Sequence, residues 1–143
     1  MNQIIELHDS RLETIRFDAE CTFVIFSHAY IHRSSGEPGK DPGTGWSQRA
    51  ELIFHGSPEV SLPISWPCNI IDGRLKLGDV VHANHIPIPL SHQGTVILEL
   101  ELLDDDGEFT VIELTGSDPH LTLLGEAKYI EEFSGVSKDV NGE

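Results

Sequence analysis

Eight histidines among 143 residues and a His8-Asp9-Ser10 triplet are the parts of this chain whose side chains could do chemistry. The triplet holds the three side-chain types of a hydrolytic triad. Members of a triad converge from separate segments, however, and neighbouring side chains on a strand point to opposite faces. Asp9-Ser10 therefore reads as a turn joining two strands, near 3–8 and 11–17. His28 and His32 are four apart, a spacing that converges on a helix but spans roughly 13 Å on a strand. Two nitrogens each roughly 2 Å from one ion cannot lie so far apart, and the surrounding sequence is that of a strand.

The segment Val81-His82-Ala83-Asn84-His85-Ile86 is more open, because a bend at Asn84 turns His82 and His85 toward one another, with His92 following. It lacks the H-x-H pair and nearby carboxylate of double-stranded β-helix (cupin) metal enzymes. His82 and His85 stand as candidate ligands of a generic histidine site, against the alternative of two strand-end histidines. No cofactor is implied. Residues 34–46 form a loop rich in glycine and proline, and loops of this length in compact domains are binding loops, lids or disordered. Lys40 and Trp46 are its candidate ligand-contacting residues, with a core role the alternative for both Trp46 and Trp66. Gly39-Lys40 is no phosphate cradle, since the spacing from Gly36 is short and no Ser or Thr follows the lysine.

The acidic residues between 95 and 116 carry the most information. Val96, Leu98, Leu100 and Leu102 alternate with Glu99 and Glu101, and a hairpin that keeps them opposite Leu114, Ile112 and Thr110 needs a loop of odd length. Asp105-Asp106-Gly107 supplies it, with glycine at the left-handed position. Glu99 then faces Glu113 across the strands. Like charges so placed destabilise by a few tenths to about 1 kcal/mol, and a sequence that accepts this can be presenting an acidic face to a cationic partner. Glu99, Glu101, Glu113, Asp105 and Asp106 are the candidate contacts; screening of exposed carboxylates is the bland alternative.

These residues need elements to hold them. Twenty-four acidic against nine basic residues give a formal charge of −15, which repels phosphate backbones and anionic lipid, so nucleic acid and membrane are poor partners. The first residues lack the basic and apolar regions of a secretory signal and no run approaches a membrane span, so a soluble cytoplasmic protein is expected. Cys21 and Cys68 sit in apolar surroundings and are expected to be free thiols.

Turn residues recur about every ten positions, the rhythm of short antiparallel strands. Asp72-Gly73 predicts a two-residue hairpin pairing Ile70 with Leu75 and Cys68 with Leu77. Val60, Leu62, Ile64 and Trp66 alternate with Ser61, Pro63, Ser65 and Pro67, predicting an edge strand. Cys21–Ile31 predicts a central strand covered on both faces, and further strands are expected near 47–55, 80–86 and 121–131. The fold class is all-β, an antiparallel sandwich or partly open barrel of roughly ten short strands. Residues 1–133 form one domain and 134–143 a flexible tail.

His8-Asp9-Ser10-x-Leu12, together with Gly125-Glu126-Ala127-Lys128-Tyr129-Ile130-Glu131-Glu132-Phe133, resembles small uncharacterised bacterial β-rich proteins, some of them immunity proteins of toxin systems. The resemblance covers these two stretches and brings no catalytic motif. The function expected is non-enzymatic binding of a basic protein through the acidic face. The alternatives are a small-molecule or metal-binding protein or enzyme with a pocket near the 34–46 loop and His82/His85, and a structural homodimer subunit.

Overall fold

The computed structural model describes residues 1–56, 60–62 and 65–136. Its strands are β1 (Asn2–Asp18), β2 (Cys21–Ser34), β3 (Gly43–His55), β4 (Cys68–Leu77), β5 (Val80–Ala83), β6 (His85–Ile88), β7 (Thr95–Asp104) and β8 (Phe109–Phe133). No helix among the described residues is long and apolar enough to cross a membrane. The sheet order is β5-β4-β7-β8-β3-β2-β1-β6, and a further pairing of β4 with β1 closes six strands into a ring. The fold is thus all-β and antiparallel, with eight strands among the described residues in place of the roughly ten expected, and several are long.

The ring closes at a short seam, where Arg11 and Leu12 of β1 pair with Asn69 and Cys68 of β4. Arg11 braces it with its side chain, donating to Asn69 Oδ1 at 2.8 Å and to both carboxylate oxygens of Asp105 at 2.9 and 3.0 Å. Inside lie the alternating apolar residues, among them Leu12, Phe26, Leu52, Phe54, Leu75, Leu98 and Leu100, all essentially without exposed surface. Both cysteines are free. Trp46 and Trp66 pack partly buried against this core.

Two turns expected from sequence are not turns. β1 runs unbroken through His8-Asp9-Ser10, with a register shift against β2 between Glu6 and Arg11 in place of a hairpin. β4 runs unbroken through Asp72-Gly73 and pairs along its length with β7, with a bulge between Ile70 and Asp72. A bulge and a two-residue hairpin both shift the phase of the buried residues, here from Cys68 and Ile70 to Leu75, so the pattern alone does not separate them. The two-residue loop falls later, at Gly78-Asp79, where Leu77 pairs with Val80 and Gly78 takes the positive φ of 59° that its position demands. The expected strand near 80–86 is instead split into β5 and β6 by Asn84, at φ 58°.

Val60, Ser61 and Leu62 have no strand structure and Ser65-Trp66 is a bend, so no edge strand is present there among the described residues; Pro63 and Ile64 lie outside them. Prolines deny that segment ladder donors, while Val60, Leu62 and Trp66 still pack on the core. β2 lies between β1 and β3 as a central strand should. Its faces differ, however: Thr22, Val24 and Phe26 are buried, whereas Cys21, Phe23 and Ile25 are only half-buried. Of the expected tail, Ser134–Val136 is described, and the Val136 N–H donates to Lys40 O at 2.8 Å; residues 137–143 lie outside the described ones.

Candidate functional site

The β7–β8 hairpin has the register read from sequence, with Leu98 opposite Leu114, Leu100 opposite Ile112 and Glu99 opposite Glu113. Asp104, itself buried, accepts the N–H groups of Asp106 and Glu108 at 2.9 Å each, and Gly107 has φ 86°, which together shape the three-residue tip. The outward face is less uniformly acidic than its sequence. Arg74 of β4 lies beside Glu99 and forms an ion pair with it at 2.6 Å. Asp105 is held by Arg11. Glu101, Glu113 and Asp106 form no ion pair among the described residues, and Glu101 is cross-strand to Val111, which is 65% exposed. Phe109, one step along the same face, is 55% exposed. A groove of about 310 Å³ runs across this face, lined in part by Asp72, Arg74, Glu99, Glu101, Val111 and Glu113.

The loop is shorter than the expected 34–46, because Ser34 ends β2 and Gly43–Trp46 open β3; what lies between is held by local hydrogen bonds, Ser34 Oγ donating to Pro42 O at 2.7 Å and Asp41 accepting the Glu37 N–H. Lys40 pairs with Glu37 at 3.3 Å, and the Arg33 guanidinium sits 4.3 Å over the Trp46 ring. The structure places Lys40 and Trp46 apart in role. Trp46 packs edge-on to Tyr129, while Lys40 joins Glu37, Ile4, Glu6, Asn84 and His85 around a second groove of about 420 Å³. The loop and the histidine segment are thus brought together. The bend at Asn84 does turn His82 and His85 toward each other, with Nδ1 to Nε2 at 3.3 Å. Burial, and then the neighbouring His85, holds the His82 imidazole below its ordinary value. His92 is not joined to them; its N–H donates to Pro119 O.

Glu6 is part of a polar cluster that the sequence reading missed. Its carboxylate accepts from Nε2 of His32, a side chain that is nearly buried and lies edge-on between Tyr30 and Phe133. Tyr30 in turn donates to Glu131 at 2.5 Å. The hydrogen bond from His32 holds Glu6 below the usual carboxylate range, while burial, and then the neighbouring Glu6, pushes Asp9 up. His8 Nδ1 lies 3.1 Å from Asp9. His8 and Asp9 do not alternate across the sheet as strand neighbours should, because the bulge suspends the alternation. Ser10 is no nucleophile: it is buried, donates to Glu6 O at 2.6 Å and accepts the Tyr30 N–H at 2.9 Å. The signal that could have revealed the bulge is the phase of the core residues, odd at Ile5 and Leu7 and even at Leu12.

Asn84 links this bulge to the one in β4. It accepts the His8 N–H on Oδ1 at 2.7 Å and the Leu7 N–H on its carbonyl, and donates its own N–H to Gly73 O, both at 2.9 Å. No protein-family model matches the chain, and no match was found among curated proteins or solved structures.

Proposed function

We propose that this protein binds a basic protein partner through the outward face of β4, β7 and β8. The observation that carries the reading is the juxtaposition of Glu101 and Glu113 with the exposed Val111 and Phe109 on one face. Exposed apolar surface rimmed by charge marks interaction surfaces more often than scattered apolar residues do. With Arg74 and Arg11 occupied by Glu99 and Asp105, the carboxylates left to meet a cationic partner are chiefly Glu101, Glu113 and Asp106. Complementarity of this kind speeds association and sets specificity. An immunity-like role, with a basic toxin as partner, is the specific form this reading takes from the resemblance noted above.

The test is charge reversal at Glu101→Lys and Glu113→Lys. Both positions face outward, so the melting temperature stays that of the parent while partner affinity falls by about tenfold or more, mostly through the association rate. Unchanged affinity would sink the reading.

A second reading places a small molecule or a metal ion in the groove between the 37–40 loop and His85. It is favoured by the imidazole contact of His82 and His85, since 3.3 Å is a separation at which two nitrogens can serve one tetrahedral ion. The homodimer alternative has no edge strand among the described residues between 60 and 67 to pair through, and of the sheet edges β5 is short and β6 carries Pro87.

A further inference from the structure

The β1 bulge collects three side chains of metal-ligating type, of which Glu6 also lines the groove of the second reading while His8 and Asp9 belong to neither reading. Donor atoms of Glu6, His8 and Asp9 all lie within 4.8 Å of one another. Small rotations of the exposed His8 and Asp9 side chains bring such a set to the roughly 2.0–2.2 Å ligand distances of one shared ion. An ordinary strand would send His8 and Asp9 to opposite faces; here both turn toward Glu6. Bulges re-aim side chains in this way beside functional sites.

The donors are an imidazole and two carboxylates, and the backbone that carries them is fixed. Asn84 holds the N–H groups of Leu7 and His8, and Ser10 bridges Glu6 O to the Tyr30 N–H. The Glu6 carboxylate is oriented from behind by His32, which is only 5% exposed and bonds its Oε2. Glu6 also shares a side-chain hydrogen bond with Asp9, a contact that a bound cation would replace. Hydrogen-bonding a ligating carboxylate from a buried neighbour is how proteins fix its direction and strength as a ligand. Three protein donors leave at least one coordination position open to water.

We infer that Glu6, His8 and Asp9 bind one divalent transition-metal cation, with His32 and Asn84 as positioning residues. The mixed nitrogen and oxygen set suits Zn²⁺ or Mn²⁺ better than Mg²⁺ or Ca²⁺, which take oxygen alone. The site is separate from the acidic barrel face and stands or falls independently of it.

The experiment titrates chelator-treated, untagged full-length protein with Zn²⁺ alone and with Mn²⁺ alone by calorimetry, and follows Mn²⁺ broadening of backbone amide signals. One ion per chain is expected, with broadening centred on residues 6–10 and 84. His8→Ala and Asp9→Asn, at exposed positions, each weaken binding by about tenfold or more without changing the melting temperature of the metal-free protein. One-to-one binding by neither ion overturns the inference. So does binding that survives both substitutions and is lost in His85→Ala, which would put the ion on the His82–His85 pair.

Discussion

Ser10 shows how much a single hydroxyl can fix. It is buried within the β1 bulge and is the partner of the Tyr30 N–H, so Ser10→Ala leaves that backbone donor buried and unpaired. A loss of about 1–3 kcal/mol is expected, measured by urea unfolding; a change within a few tenths would mean that water replaces the hydroxyl. His82 makes a pH-dependent contribution of known sign. Its folded-state value is lowered from 6.5, so the unfolded chain binds the proton more readily. The stability it contributes is fully present above that value and is lost as the pH falls through 6.5 toward the folded-state value. Because His82 is partly exposed, solvent screening keeps the effect small. His82→Gln should flatten the stability profile between about pH 7.5 and 5.5; an unaltered slope would show that other groups set it.

At the scale of elements, the two bulges explain both what could be read from the sequence and what could not. The β7–β8 hairpin was readable because a long run of strict alternation, Val96 to Leu102, met a loop whose glycine and parity allowed one register. Asp72-Gly73 and Asp9-Ser10 carry equally good local turn chemistry and yet lie inside strands. Each is overridden by a non-local contact: β4 remains extended because β7 pairs along it, and β1 because β2 pairs on either side of Asp9-Ser10 while Asn84 and the Tyr30 N–H hold the stretch between. Gly73 is required there by close approach. A Cβ at that position would lie 3.0 Å from Glu99 O, Leu100 Cδ2 and Leu7 Cδ1. Gly73→Ala should therefore destabilise by about 1–3 kcal/mol, as overpacked cores do, with the register of β4 retained. A neutral substitution would contradict close packing of the two bulges. The Glu6, His8, Asp9 cluster was hidden for the same reason, since its convergence depends on a bulge and on Asn84, 76 residues from His8.

On the scale of the whole molecule, the charge of −15 is partly answered by local pairing. Arg11, Arg16, Lys40, Arg49 and Arg74 each have a carboxylate partner. The basic residues are thus largely engaged in holding the barrel and its loops, and the unanswered acid, including Glu101, Glu113 and Asp106, faces solvent. Such a field repels anionic surfaces and attracts cationic ones over about a Debye length, roughly 8–10 Å at ordinary ionic strength. The most direct measurement is affinity capture from source lysate with parent protein and with the Glu101→Lys/Glu113→Lys variant side by side, at low and at high salt. A basic protein is expected to be retained by the parent at low salt, released at high salt, and absent from a variant of unchanged melting temperature. Capture of the same proteins by both chains, or of none by either, would contradict it.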